Sequence, residues 1–355
     1  MEPLPVLSVI IPTSGRVQAL QRTLNCLCQQ SLPADQFEVL VIEDGEILAA
    51  KQIQKQVDCS GSRYPYALIF LQQEKQGPTQ ARNLGASQSR GEVLVFLDDD
   101  ICVPPEGLYL LYEAVLNHVE KTICLGALTL PDEILRNSIF ARAFHQPIPT
   151  TDQEVHFTFC KTGLLALKRA DFFSVGQFKD PTGGWPNWDD VDFGYRAHLQ
   201  GYHLLQCSRV VAEHWDYASL SLDVASQRSF KAGKSAVKLF QVYPELQASI
   251  PMFRDMLPAQ YGQSNSVLAA RGLTRRIAAT PVMVRVLKTC IHFLERLLSG
   301  KYSLSTNRMN PPVLITHHSE DTELEPGMRI LRRLYIWVIG GYIYQGIQAG
   351  LRQYG

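Results

Sequence analysis

The chain has 355 residues, 46% of them hydrophobic, with 34 Lys or Arg against 34 Asp or Glu and a net charge of zero. That length can bury a large core, as one big domain or a domain with an appendage. The balanced charge offers no footprint for a nucleic-acid partner, and no apolar run reaches the ~20 residues of a membrane span.

The first strand is expected at Leu7–Ile11, closed by Pro12, and the second at Phe37–Ile42, running into Glu43-Asp44-Gly45. Between them, Val17, Leu20, Leu24 and Leu27 have the spacing of a helix face over 16–30. A second helix is expected over 46–57, a strand over Leu68–Leu71, a helix over Thr79–Ser89 and a fourth strand over Val93–Leu97. Strands alternating with helices of this length predict βαβ units and a parallel sheet. Polar or small residues follow the first, second and fourth strands, at Pro12-Thr13-Ser14, Glu43-Asp44 and Asp98-Asp99-Asp100. They fall on the carboxyl edge, where open α/β sheets bind ligands.

Three consecutive carboxylates repel one another, so a positive group is expected among them, and hard oxygen ligands suit Mg²⁺ or Mn²⁺. Neither GxGxxG nor GxxxxGK[ST] occurs. The usual dinucleotide fold and a P-loop enzyme are therefore disfavoured.

Further on, a helix over 188–200 would carry Asp189, Asp190 and Asp192 in its first turn, where the helix dipole favours negative charge. Asp192 and Arg196 are spaced for an i,i+4 ion pair. A strand at Val210–Ala212 leads into Glu213-His214-Trp215. Past Tyr217 helical patterns take over, at Leu220–Tyr243, Val267–Leu298 and Met328–Leu351, with linker composition at Asn307–Pro312 and Ser319–Glu325. Arg271, Arg275, Arg276, Arg285 and Lys288 give the second stretch a basic face; the last sets Arg329, Arg332 and Arg333 beside the apolar Leu334–Tyr344. Such a tail suits a helix lying on a membrane, or one packed on the catalytic domain or a second subunit. The eight cysteines form no CxxC pair and several lie in apolar runs, so reduced thiols are expected. With no signal-like segment before the first strand, a cytoplasmic location follows, peripheral at the membrane if the tail docks there.

These segments, taken in order from Leu7 to about Trp215, resemble the inverting glycosyltransferases of family 2, which have the GT-A fold. Val-Ile-Ile-Pro-Thr (9–13), Val-Ile-Glu-Asp-Gly (41–45), the Ala-Arg-Asn core within 77–85, Leu-Asp-Asp-Asp-Ile (97–101) as a DxD motif and Trp-Asp-Asp-Val-Asp (188–192) carry the resemblance. It implies a GT-A domain over 1–216, its nucleotide-sugar half at about 1–103 and its acceptor half at about 104–216. A helical extension over 217–355 would follow. It implies a nucleotide-sugar donor, UDP-sugar favoured, held by Pro12, Thr13, Arg16, Asp44, Gly77, Arg82, Asn83, Asp98 and Asp99. Mn²⁺ or Mg²⁺ would sit on Asp100 and His214. Asp190 would be the base, with Asp189 its rival, and Gly163, Trp185, Trp188 and Asp189 would face the sugar or a glycan, lipid or small-molecule acceptor. Two other readings stay open: a silent sugar-nucleotide-binding scaffold, and a sugar nucleotidyltransferase. The latter usually has a glycine-rich basic loop where this chain has a single glycine, Gly15.

Overall fold

The computed structural model describes residues 4–45, 64–118, 121–145, 148–183, 188–216, 221–250, 273–302 and 324–355, together with 51, 52 and 55. The expected helix over 46–57, apart from those last three residues, the linkers up to residue 323 and Trp185 lie outside them. The chain divides into two compact units.

The first unit comprises 1–131, 148–180 and 189–215. Its elements are β1 (Leu7–Thr13), α1 (Val17–Leu27), β2 (Phe37–Asp44), β3 (Ala67–Gln73), α2 (Pro78–Gln88), β4 (Val93–Leu97) and β5 (Ile101–Cys102). Then come α3 (Gly107–Asn117), β6 (Thr122–Thr129), β7 (Gln153–Val155), β8 (Leu164–Lys168), α6 (Arg169–Val175), α7 (Asp189–Leu199) and β9 (His203–His214). The strands form one sheet in the order β3-β2-β1-β4-β8-β6-β9-β5, with β7 against β9. β3, β2, β1 and β4 run parallel, as expected. Beyond β4 the sheet is mixed: β8 is antiparallel to both β4 and β6, and β9 is parallel to β6.

Strand alternation divides the apolar residues between two cores. Leu7, Val9, Ile11, Val93, Val95 and Leu97 pack with Leu20 and Leu24 of α1 and Leu108 and Leu111 of α3. Ile10, Leu94 and Phe96 turn the other way, toward Phe172, Phe178 and Phe193. The Phe96–Phe178 and Phe178–Phe193 ring centroids are 4.8 and 4.7 Å apart, so aromatic packing seats α7 beneath the end of β4. Cys124 and Cys160 are buried thiols, as expected. Cys26 and Cys102 are not: they are joined in a disulfide between α1 and β5. Their separation of 76 residues, with no shared motif, hid the pair, which only the docking of α1 beside β5 creates.

The second unit comprises 132–147, 181–188 and 216–355. It holds α4 (Asp132–Asn137), α5 (Ile139–Phe144), α8 (Leu222–Val242), α9 (Pro281–Tyr302) and α10 (Pro326–Tyr354). Leu287, Ile291 and Leu298 of α9 form a core with Met328, Leu331, Tyr335 and Val338 of α10. Of the apolar run expected at 334–344, Tyr335, Val338 and Ile343 are turned inward, while Ile336 and Trp337 are exposed. No helix among the described residues is long and apolar enough to cross a membrane.

Candidate active site

The three carboxylates after β4 diverge, because the chain turns there. Asp99 faces inward with no solvent exposure. Its Oδ2 accepts from Thr13 Oγ1 at 2.6 Å and its main-chain oxygen from Thr23 Oγ1 at 2.9 Å. Arg16, at the N-cap of α1, brings its guanidinium to both remaining sides: Nη2 and Nε to Asp99, and Nη1 to Asp100 Oδ2 at 2.7 Å. The positive group expected among the acids is therefore Arg16. Burial pushes the Asp99 carboxyl up to about 6, with Arg16 and Thr13 restraining the rise. Burial acts the same way on Asp100, but hydrogen bonding to His214 and the Arg16 charge prevail and hold it below the usual carboxylate range.

His214 reaches Asp100 through strand register. β9 runs two residues past Ala212, and its last residue pairs opposite Ile101 of β5. The Trp215 N–H donates to the Asp100 carbonyl at 2.8 Å. His214 Nε2 then lies 3.4 Å from Asp100 Oδ1. Among the described residues no three His, Cys, Asp or Glu side chains are grouped to hold a metal by themselves. One carboxylate with one imidazole is nevertheless a donor set that fits a divalent cation completed by substrate phosphates and water, as Mg²⁺ commonly is.

Asp98 turns the other way. Its N–H donates to the Gly163 carbonyl at 3.0 Å, and a Cβ at Gly163 would stand 3.2 Å from Asp98 Oδ2, so a larger residue would crowd the carboxylate. Arg82 of α2 is only 5% exposed, and its Nη2 donates to Asp98 Oδ1 at 2.7 Å. Its Nη1 reaches Asp189 Oδ2 at 3.5 Å, and Thr79 Oγ1 donates to that same oxygen at 2.8 Å. One buried guanidinium thus ties the end of β4 to the start of α7. Asp189 is buried and spent on these partners and on the Asp190 N–H. Asp190 is half-buried, and among the described residues its Oδ1 accepts only its neighbour's amide, Val191 N–H at 2.8 Å. Desolvation, reinforced by the adjacent Asp189 charge, pushes the Asp190 carboxyl up to about 7. Asn83 is drawn elsewhere and clamps Phe178, donating to its carbonyl and accepting from its N–H.

At the carboxyl ends of β1, β2 and β3 lies a cleft of about 890 Å³ lined by Ser14, Gly15, Glu43, Asp44, Gln73 and Lys75, among others. Buried Asp44 accepts from Gln73 Nε2 and the Gln76 N–H, both at 2.8 Å, and from the Gly77 N–H. Gly77 has φ +92°, a conformation that leaves its amide aimed at the carboxylate and that L side chains rarely adopt. Glu43 Oε1 accepts the Gly15 N–H at 2.8 Å, and Pro12 pairs with Ile42 on the strand behind.

Residues 8–163 match the profile described as glycosyl transferase family 2. The chain carries a glycosyl transferase family 2 domain. It is 39% identical over 101 residues to glycosyltransferase AglE of Haloferax volcanii, a stretch that covers 28% of this chain and 32% of that protein. It is 24% identical over 262 residues to validoxylamine A glucosyltransferase of Streptomyces hygroscopicus subsp. jinggangensis, covering 66% of this chain and 59% of the relative. The chain thus spans less than two thirds of either relative's length. Among solved structures, that of GalNAc-T7 with UDP, GalNAc and Mn²⁺ is similar in fold, with a TM-score of 0.50 and 17% identity over 76% of this chain and 54% of that one. The fold is GT-A.

Within this family 2 domain, Thr79 and Gln73 were not among the expected site residues; their partners lie 110 and 29 residues away. A threonine in the first turn after Gly77-Pro78 was the one visible signal. Trp188 belongs to the second unit, where its Nε1 donates to Ser235 Oγ of α8 at 3.0 Å.

Proposed function

We propose that this chain transfers a sugar from a nucleoside diphosphate sugar, with UDP as the nucleotide, to a hydroxyl acceptor with inversion at the anomeric carbon. The observation that carries the reading is buried Arg82, which gathers Asp98 and Asp189 beside the half-buried Asp190 and the Asp99–Asp100 corner.

Asp190 is the base. A carboxyl raised to about 7 is close in affinity to what a general base needs at neutral pH, and its Oδ atoms are the least committed of the acidic group. It takes the proton from the acceptor hydroxyl as that oxygen bonds to the anomeric carbon. On the opposite face the carbon–oxygen bond to the diphosphate breaks, and the electron pair leaves with the nucleoside diphosphate. Arg82 and Asp189 are positioning residues that hold the first turn of α7 in place.

The cleft at Asp44 takes the nucleoside, with Thr13 and Gly77 at its margin and Pro12 as backing; Asp98 points to the ribose side. Asp100 and His214 would hold Mn²⁺ or Mg²⁺, which when bound supplies charge neutralisation for the leaving diphosphate. Arg16 neutralises Asp99 and Asp100 until the donor arrives and then serves the diphosphate. Gly163 is assigned to the acceptor side, which receives a saccharide or a lipid-linked glycan. The solved complex with UDP and Mn²⁺ and the glucosyltransferase named among the relatives support the donor class.

The test is a product assay with a panel of UDP-sugars, Mn²⁺ and glycan acceptors, after a thermal-shift screen to choose the donor. Free UDP with a new glycosidic bond of inverted configuration is expected. Pyrophosphate release from UTP and a sugar phosphate would mean a nucleotidyltransferase, and donor binding without turnover would mean a scaffold.

A further inference from the structure

The second unit leaves an apolar stripe in the open. On α9, Val282, Val286, Phe293 and Leu297 are 74, 49, 63 and 55% exposed. Steps of four, seven and four residues keep them on one side of the helix, opposite the buried Leu287, Ile291 and Leu298. On α10, Ile330 and Trp337 are 53 and 45% exposed, again spaced for one side. Isolated exposed apolar residues are ordinary, but a run of this size is the mark of an interaction surface.

The charge on these helices is one-sided. The two helices, 281–302 and 326–354, contain eight Lys or Arg and a single acidic side chain, Glu295, although the whole chain is neutral. That carboxylate is already engaged, by Tyr335 Oη at 2.5 Å and His292 Nδ1 at 3.2 Å. Arg276 and Arg285 are exposed, and Arg285 borders the stripe.

We propose that this face of α9 docks on the surface of a bilayer that carries anionic lipid. The apolar stripe enters the headgroup boundary while the arginines meet lipid phosphates, the arrangement of an interfacial helix. Since no described helix is apolar enough to span, the unit lies on the bilayer. A second copy suits the face poorly, because a two-fold contact sets each patch against itself and would oppose arginine to arginine with no carboxylate to pair. A nucleic acid would satisfy the arginines but give Val282, Val286, Phe293 and Leu297 nothing to do. The inference rests on the second unit alone and is independent of the catalytic reading.

The test is flotation of the full chain with neutral phosphatidylcholine vesicles and with vesicles containing phosphatidylglycerol. The chain is expected to float with the anionic vesicles, and partitioning should fall by about fivefold in Arg285→Gln. The double variant Phe293→Ser/Leu297→Ser should lose about tenfold or more while its melting temperature holds, since neither side chain is in the core. A chain that stays at the bottom with anionic vesicles, or floats equally well as the double variant, overturns the proposal. So does a doubled mass in light scattering that the double variant abolishes, which would make the stripe a contact between copies.

Discussion

Asp190 concentrates the chemical argument in one carboxyl. If it is the base, Asp190→Asn should lower kcat by about two or more powers of ten, with UDP affinity unchanged, because the group addresses the acceptor and not the diphosphate. Stopped assays and calorimetry on the same preparation separate the two quantities. Its raised affinity for protons also sets the pH dependence. Activity should rise about tenfold per pH unit below about 7 and level off above, as the carboxyl ionises. Stability runs the other way. A carboxyl raised in the folded state favours folding fully only below its unfolded value, and that contribution is lost as pH climbs toward 7. Asp190→Asn should therefore be more stable than the parent above pH 7, by about 1–3 kcal/mol, with the difference fading toward pH 4 in melting experiments. A dead but unstabilised Asp189→Asn beside an active Asp190→Asn would move the base one residue earlier. Arg16 makes the second residue-scale prediction. Arg16→Gln removes the cation from two buried carboxylates, so Mn²⁺ alone should bind about tenfold more tightly by paramagnetic resonance. Unchanged Mn²⁺ affinity would leave Arg16 a purely structural clamp.

At the scale of elements, the first turn of α7 is held from both sides. Arg82 and Thr79 of α2 grip Asp189, and on the other flank the expected Asp192–Arg196 pair forms at 2.6 Å. Arg196 also donates to the Val175 and Gln177 carbonyls at 2.6 Å each, so the pair stitches α7 to the end of α6. Asp192 is only 1% exposed, and Asp192→Asn leaves a half-buried guanidinium without its counter-charge. The expected cost is about 2–4 kcal/mol in denaturant unfolding, with residual activity per folded molecule largely kept. If Asp190 is the base, a helix held so firmly presents it without ordering it anew at each turnover, which is what positioning contributes to rate. In the second unit the crossing of α8 and α10 depends on close approach: a Cβ at Gly233 would stand 2.5 Å from the Ile343 carbonyl.

At the scale of the molecule, covalent and electrostatic features are distributed unevenly. The Cys26–Cys102 bond closes a long loop across the sheet end that carries Asp98–Asp100. Reduction should lower unfolding free energy by about 2–4 kcal/mol, and alkylation before and after reduction should show two additional reactive thiols. Equal alkylation under both conditions would mean the bond does not form in solution. The chain's neutrality hides a strongly basic pair of helices offset by acidity elsewhere, so whole-chain charge was a poor guide to partners.

The strands and helices that frame the site are legible from local residue patterns. Val93–Leu97 occurs as read, and the parallel run β3-β2-β1-β4 follows from alternation of strand and helix signals, which are local and therefore legible. The family was legible too, because its motifs are short segments at strand ends. The pairings over long separations emerge only once the elements pack. Arg82 reaches Asp189 across 107 residues, and the pairing of β9 with β5 is what carries His214 to Asp100, a neighbourhood the family resemblance already implied. Arg16 meets Asp99 and Asp100 across more than eighty. The disulfide and the exposed stripe of α9 belong to the same class. Periodicity shows that a residue has an apolar neighbourhood or a polar one, but which partner fills it depends on how elements pack, and packing is a property of the whole fold.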